Sequence, residues 1–336
     1  MVKKVALLVN LGSPRNCDVK SVREYLDEFL MDKYVLDYPK IIRWLLVKFI
    51  ILRFRPKRTS EAYKSIWTEN GSPLISISGD VQNKLRNIST IPIYISMRYG
   101  DPSIGSTIQT IRMTHNHVDT LHVVPLYPHY AMSTTKTVSD RIKEVINEID
   151  WDVRIHIEKP FYSNEKYINA LSCSIESSWS NNYEYLLFSY HGLPVRHLRK
   201  CDPTGKHCYF HQDCCNVESV AHNYCYRHQV YETTKLVAKK LHLQESRYSV
   251  SFQSRLLSDP WLEPFTDLEI KRLAKSGIRR LAIVCPAFVS DNLETLEEIA
   301  IAGREIFLEN GGERCDLIPC MNDDDRWIDV LNDLIK

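Results

Sequence analysis

The sequence predicts an α/β fold in which parallel sheets are covered by helices. Three observations point there. Short apolar runs rich in Val, Ile and Leu recur along the chain, amphipathic stretches separate them, and one strand-ending pattern occurs twice. The two copies are "LLVNLGSP" (Leu7–Pro14) and "LLFSYHGLP" (Leu186–Pro194), and each runs from a strand into x-Gly-x-Pro. They favour two doubly wound halves, each opening a loop at the carboxyl end of a strand, where folds of this class hold their ligands. The plainer alternative is that strand ends often carry Gly and Pro.

In chain order, the strands expected are Val5–Asn10, Ile93–Ser96, Thr120–Val124, Val153–Ile157, Tyr185–Ser189, Tyr248–Phe252, Leu281–Cys285 and Asp316–Ile318. Each is a short apolar or β-branched run, as a strand buried on both faces requires. Helical periodicity is read over Val19–Phe29, Val81–Ile88, Val138–Ile149, Tyr167–Ser178, Val230–Leu241, Asp267–Lys275 and Leu293–Leu308.

At 336 residues the chain has room for two domains with cores of their own, or for one large α/β unit. Its net charge of +1 argues against a general nucleic-acid binder. The start, "MVKKVALLVNLGSP", has an apolar run too short for an export signal and no small-x-small cleavage site, so it reads as a first strand. A reducing cytoplasmic location is therefore expected, and the 10 cysteines point to metal or redox chemistry more than to disulfides. Cys17, Cys173, Cys285, Cys315 and Cys320 are scattered, whereas Cys201, Cys208, Cys214, Cys215 and Cys225 are crowded.

Residues 40–58, "KIIRWLLVKFIILRFRPKR", carry seven basic residues and no acidic one. Ile41, Trp44, Leu45, Phe49 and Leu52 fall near helical spacing, with Lys48 interrupting the stripe. No uncharged run here approaches the roughly 20 residues that span a bilayer. A basic amphipathic helix with Trp and Phe reads as a contact with a membrane surface, the alternative being a packing helix with solvated lysines.

Five stretches together carry a resemblance: "LLVNLGSP", "MRYGDPSI" (Met97–Ile104), "FSYHGLP" (Phe188–Pro194), "FQSRLLSDPWLEPFTD" (Phe252–Asp267) and "DNLETLEEI" (Asp291–Ile299). In this order and over nearly the whole chain, they resemble ferrochelatases, which insert ferrous iron into a porphyrin to make haem. The resemblance implies two similar doubly wound, Rossmann- or flavodoxin-like domains with four-stranded parallel sheets, a chelatase-like arrangement. The first is expected over residues 1–160, including the membrane-facing segment and joined by a C-terminal helix at 323–336. The second is expected over 161–322, with a cysteine-rich insertion at 201–225.

The residue types suit the chemistry. Metallation removes two pyrrole protons, and a neutral imidazole, with an ordinary pKa of about 6.5, is an apt acceptor. His191 sits at an expected strand end, followed by Gly192, which is read as letting backbone approach a flat ligand. The bland alternative is a histidine that hydrogen-bonds a turn. Asp291 and Glu294 just before an apolar run read as a capping-box-like helix start. Glu294 and Glu298 are spaced i,i+4 and so share a face, where two carboxylates suit a path for protons or metal.

The resemblance assigns His191, Glu294 and Glu298 as catalytic, with the substrate Fe2+ at His191 and Glu294. It places Arg98, Tyr99, Tyr127 and Trp261 at the porphyrin, although Trp261 in "DPWLEP" also reads as a structural anchor, and packing also explains the aromatics of "PLYPHYAMSTT". Asn292 stands where some relatives carry a second histidine, and Ala300 and Ala302 stand where the acidic row extends in others.

The crowded cysteines have the spacing C-x6-C-x5-C-C over Cys201, Cys208, Cys214 and Cys215. Four thiolates suit zinc, with His207 and His211 as substitutes, or an iron–sulfur cluster. The resemblance favours a 2Fe–2S cluster, because several ferrochelatases carry one. Cys214 and Cys215 can both be ligands only if the chain turns there, and Cys225 is a replacement candidate that also suits the start of the next helix. Metallation involves no net electron transfer, so such a cluster is accessory.

Three functions remain in view: a protoporphyrin ferrochelatase peripheral to the membrane, a coproporphyrin ferrochelatase, and a non-catalytic haem- or porphyrin-binding sensor with an iron–sulfur cluster. His191 together with Glu294 favours the enzyme, since a sensor has no need of a proton-transfer set. The sequence leaves a homodimer open.

Overall fold

A computed structural model describes residues 3–179, 183–256 and 259–336. Met1 and Val2 of the starting stretch, and Leu257 and Ser258 of the "FQSRLLSDPWLEPFTD" motif, lie outside these. The chain divides into two compact units. One comprises Met1–Leu126, Met132–Lys159 and Asn322–Lys336, the other Tyr127–Ala131 and Pro160–Met321.

The first unit runs β1 (Lys4–Asn10), α1 (Val19–Leu30), α2 (Lys40–Leu45), α3 (Leu52–Ile66), α4 (Pro73–Ile88), β2 (Ile93–Met97), α5 (Ile104–Thr114), β3 (Thr120–Pro125), α6 (Thr137–Glu148) and β4 (Arg154–Ile157). Its parallel sheet has the order β2-β1-β3-β4. Strand β1 is the second in that order and is buried from Val5 to Asn10, which is why its sequence is apolar without alternation. Helix α1 starts at Asp18, whose side chain accepts from the N–H groups of Lys20 and Ser21.

The second unit runs α7 (Glu165–Ser178), β5 (Tyr185–His191), α8 (Val195–Cys201), α9 (Tyr226–Lys240), β6 (Tyr248–Gln253), α10 (Thr266–Lys275), β7 (Arg280–Val284), α11 (Leu293–Leu296), α12 (Arg304–Glu309) and β8 (Arg314–Leu317). The last helix, α13 (Asp325–Leu334), returns to the first unit. The second sheet has the order β6-β5-β7-β8, which repeats the first one strand for strand. The α/β class with two four-stranded parallel sheets is thus as the sequence predicts. Both copies of the repeated sequence pattern lie on the strand that opens its sheet's chain order and stands second within it.

Buried apolar residues of β5, β7, α10 and α12 form one cluster of the second unit, including Tyr185, Leu187, Leu281, Ile283 and Phe307. Cys285 and Cys315 belong to it. These two scattered cysteines act as small core hydrophobes, and burial pushes the Cys315 thiol up to about 12.

Two helical readings change. The helix expected over 40–58 is broken by a π-helical turn at Leu46–Ile51 and then runs on to Ile66, and Leu293–Leu308 is broken by another at Glu298–Gly303. In the latter, the Ala302 N–H donates to the Glu297 carbonyl five residues back. Each turn inserts a residue into the hydrogen-bond ladder and shifts every later side chain around the axis, an effect that periodicity counting does not register.

Candidate active site

Strand β5 ends at His191, where the backbone leaves the sheet. The His191 Nδ1 lies 2.7 Å from the Gly192 carbonyl oxygen. A carbonyl oxygen only accepts, so Nδ1 carries a proton, and in the neutral ring the lone pair is then on Nε2. The Tyr226 hydroxyl donates to the His191 carbonyl at 2.9 Å, and Phe288 packs edge-on to the imidazole. Backbone and ring are therefore both held.

Gly192 has a different reason from the one its sequence suggests. A Cβ there would lie 2.9 Å from the Gln253 carbonyl oxygen, 3.1 Å from that of Ser254 and 3.3 Å from the Trp261 ring. The glycine is required by the protein's own backbone, and its N–H donates to the Gln253 carbonyl at 2.7 Å. Trp261 closes the same loop: its Nε1–H donates to the Leu256 carbonyl at 2.9 Å, and it bridges to Pro194.

Gln253, missed by sequence reading, ties the site together. Its side chain is buried at the end of β6, next to His191 in the β5–β6 register. Its Oε1 accepts from the Ser189 hydroxyl at 2.8 Å and from the Cys285 thiol at 3.5 Å, and its Nε2 donates to the Glu294 carbonyl at 2.9 Å. One amide thus links β5, the end of β7 and helix α11. Nothing local in the sequence marks it, because its partners lie tens of residues away.

The helix start near Glu294 is one residue later than the sequence suggests. Asn292, not Asp291, is the N-cap, and its side chain accepts from the Thr295 N–H at 3.1 Å. The Thr295 hydroxyl in turn accepts from the Asn292 N–H at 3.0 Å. The capping box is Asn292–Thr295, so the Glu294 carboxylate has no part in it. Asp291 accepts from the Thr295 hydroxyl at 3.0 Å and from the Cys320 N–H at 3.2 Å.

Glu298 opens the π-helical turn. Its carboxylate accepts from the Ser254 N–H at 2.9 Å and the Ser254 hydroxyl at 2.5 Å. Ser254 has φ +60°, in the left-handed region, and these two bonds hold it there. Tyr127 is buried in the same unit, and His129 near it donates to or accepts from the Thr233 hydroxyl at 3.0 Å. Burial lowers His129 to about 3.

Arg98 and Tyr99 belong to the first unit. There Asp32 Oδ2 accepts from the Arg98 guanidinium at 2.6 Å, the Tyr99 hydroxyl at 2.8 Å and the Thr137 hydroxyl at 2.5 Å. The Arg98 guanidinium lies over the Tyr99 ring, 4.5 Å from its centroid. Tyr99 is fully buried, and burial, with Asp32, raises its phenol well above the usual range.

In the insertion, Asp202 organises the loop. Its carboxylate accepts from the N–H groups of His207 at 2.7 Å, Cys208 at 2.9 Å and Thr204 at 2.8 Å. Cys208, Cys214 and Cys225 are buried. Residues 211–216 form turns, with the Cys214 N–H donating to His211 and that of Asn216 to Asp213, so the adjacent cysteines do not lie on an extended strand. Cys225 caps α9 and accepts hydrogen bonds from the Cys208 and Cys215 thiols, which lower its own pKa and raise theirs. Cys214 Sγ accepts from the Tyr209 N–H at 3.4 Å and from Arg227 at 3.7 Å.

The ferrochelatase family model matches residues 3–336. The chain is 46% identical over 339 aligned positions to the ferrochelatase of Opitutus terrae, covering 100% of this chain and 98% of that one. It is 44% identical to a ferrochelatase of Pseudomonas fluorescens, at the same coverage.

The chain belongs to the ferrochelatase family.

It is accordingly a porphyrin metal chelatase, with a porphyrin and ferrous iron as substrates. Among solved structures, SirB from Bacillus subtilis with Fe3+ matches with a TM-score of 0.56 at 12% identity, over 99% of this chain and 96% of that one. A sirohydrochlorin chelatase SirB from Bacillus subtilis subspecies spizizenii in complex with cobalt matches with a TM-score of 0.54 at 9% identity, over 99% and 94%. At such identities, this likeness concerns the fold alone.

Proposed function

We propose that this ferrochelatase metallates protoporphyrin IX to protohaem, the last step of haem synthesis, with His191 as the base. The observation that carries the catalytic assignment is the tautomer of His191. With Nδ1–H spent on the Gly192 carbonyl, no described residue hydrogen-bonds Nε2, which is left as a proton acceptor at the carboxyl end of β5. Two pyrrole protons leave as ferrous iron enters; His191 takes one at Nε2, and the Glu294 carboxylate assists proton and metal transfer. The Ser254 bonds support a positioning part for Glu298. Arg98, Tyr99, Tyr127 and Trp261 are proposed to line the porphyrin, Tyr99 acting through the guanidinium on its ring.

The choice of protoporphyrin over coproporphyrin rests on segment 40–58. Ile41, Ile42, Trp44, Leu45, Phe49, Ile50 and Phe54 are all exposed there, an apolar patch of a kind that marks a docking or lipid surface. Leu52 of the expected stripe is buried instead, as are Val47 and Ile51. Two of the cations serve the fold, because Arg43 donates to the Leu36 and Tyr38 carbonyls and Lys48 pairs with Asp27. No helix among the described residues is long and apolar enough to cross a membrane. The patch supports peripheral attachment, where the less polar porphyrin partitions.

The insertion's thiols fit a 2Fe–2S cluster: the buried sulfurs of Cys208, Cys214 and Cys225 belong to one loop region, and that of Cys214 accepts two N–H bonds. Cys201, Cys208, Cys214 and Cys215 stand as proposed ligands, with Cys225 a fifth contender on geometry. Such a group would supply a one-electron centre and a cross-link, and metallation needs neither.

The test is an anaerobic assay of the full chain with ferrous iron and either porphyrin, alongside His191→Ala. Many turnovers with protoporphyrin, lost in the variant, support the reading. Preference for coproporphyrin replaces the substrate, and tight stoichiometric binding without turnover promotes the sensor. Cysteine-to-serine variants read by visible absorption identify the cluster ligands, and an unchanged, featureless spectrum in all of them refutes the cluster.

A further inference from the structure

The first unit holds a set of metal-ligating side chains to which no role has yet been given. His122 lies on β3 and His156 on β4, and the two are register partners in the parallel ladder. Glu158 follows His156 by two residues, so it shares that side of the sheet. The Glu158 N–H donates to the Val123 carbonyl at 2.8 Å, which continues the β3–β4 ladder by one more bond.

The distances suit an ion. Nε2 of His122 lies 3.1 Å from Glu158 Oε2, and Nε2 of His156 lies 3.4 Å from the same oxygen. The three ligand atoms all fall within 4.8 Å of one another. A tetrahedral ion with bonds of about 2.0–2.1 Å holds neighbouring ligand atoms about 3.3–3.4 Å apart. Two edges of such a site are therefore already near their bound lengths.

Burial is graded in a way that gives a fixed inner ligand and an open mouth. The His122 side chain is 4% exposed, that of Glu158 22% and that of His156 58%. Strand β4 is the edge of its sheet, so the approach from outside is not blocked by another strand. The His122 Nδ1 is buried with no partner among the described residues, which leaves Nε2, aimed at the carboxylate, as the one anchored polar atom of that ring. Without an ion, both imidazoles must direct an N–H at one oxygen atom. A cation in their place serves both nitrogens and the oxygen together.

We propose that His122, His156 and Glu158 bind a divalent first-row transition-metal ion at the outer edge of the first sheet. Two imidazoles and one carboxylate, with further positions open to water, form a donor set suited to Zn2+ or Fe2+. This site shares no residue with the His191 loop or the cysteine insertion, and it does not depend on the roles proposed for them.

The full chain, stripped by a chelator, is dialysed to equilibrium against Zn2+ as wild type, His156→Ala, Glu158→Gln, His191→Ala and the His156→Ala/His191→Ala pair. Circular dichroism checks the fold, and His156 is exposed enough for truncation to leave it intact. The expected result is one equivalent fewer in His156→Ala and in Glu158→Gln than in wild type, with the His191→Ala loss adding to it in the pair. Co2+ loading of His191→Ala should also give visible ligand-field bands that His156→Ala removes. Equal stoichiometry in wild type and His156→Ala, or losses confined to His191→Ala, overturns the proposal. Anaerobic dialysis against Fe2+ tells which ion the site takes, and retention of either at His156 supports it.

Discussion

Replacing Gln253 by leucine tests the idea that one buried amide sets the geometry around His191 and Glu294. Leucine has similar bulk, so no large cavity opens, and the backbone bond from the Gly192 N–H to the Gln253 carbonyl survives. What disappears is the acceptor for Ser189 at 2.8 Å and for Cys285 at 3.5 Å, and the donor to the Glu294 carbonyl at 2.9 Å. Ser189 keeps a second partner in the Thr266 hydroxyl at 2.9 Å, so its loss is softened. The Glu294 carbonyl loses its side-chain donor. At about 1–3 kcal/mol for each polar group left unsatisfied in the interior, the expected destabilisation is about 2–4 kcal/mol. For a unit of this size, that lowers the melting temperature by roughly 5–15 °C. Gln253→Glu should be worse, because a carboxylate would face the Glu294 carbonyl. Melting followed by circular dichroism measures the stability. Iron insertion into porphyrin, followed by absorbance, should show kcat falling more than KM changes, as misplacement of His191 and Glu294 requires. A Gln253→Leu variant that melts and turns over like the wild type refutes the reasoning.

Two further outcomes follow from buried charge. His129 titrates near 6.5 in an unfolded chain but only at about 3 in the fold. Between these values the unfolded state takes up a proton that the folded state refuses, so stability falls as pH drops below 6.5. The share due to His129 between pH 7.5 and 5.5 is about 1.4 kcal/mol, and His129→Gln should lose that much less in paired urea titrations. Asp32→Ala leaves the partly buried Arg98, its side chain 15% exposed, without its charge partner and should cost about 3 kcal/mol, with part recovered in Asp32→Ala/Arg98→Met. An Asp32→Ala chain that unfolds at the wild-type urea concentration would show that the network carries no stability.

Strand positions and fold class were determined by the sequence alone, since a strand buried on both faces has to be a short apolar run, wherever its neighbours lie. The repeated Leu-Leu-x-x pattern likewise marked the opening strand of each sheet. Local composition also hid things. Helix α5 carries Ser, Thr and Ile at positions where good helix formers would have announced it, and it depends on its Ser103 cap and its packing. Family motifs marked His191 and Glu294 as candidates, but not their surroundings. Gln253 reaches Ser189 across 64 residues and Glu294 across 41, Thr137 reaches Asp32 across 105, and His122 meets Glu158 across 36. A cap moved by one residue, a π-helical turn and a thiol cluster centred on Cys225 likewise depend on which groups meet after folding. Periodicity records which face of an element is apolar. Only the packed chain decides which donor finds which acceptor, because that choice rests on distances set by segments far apart in the sequence.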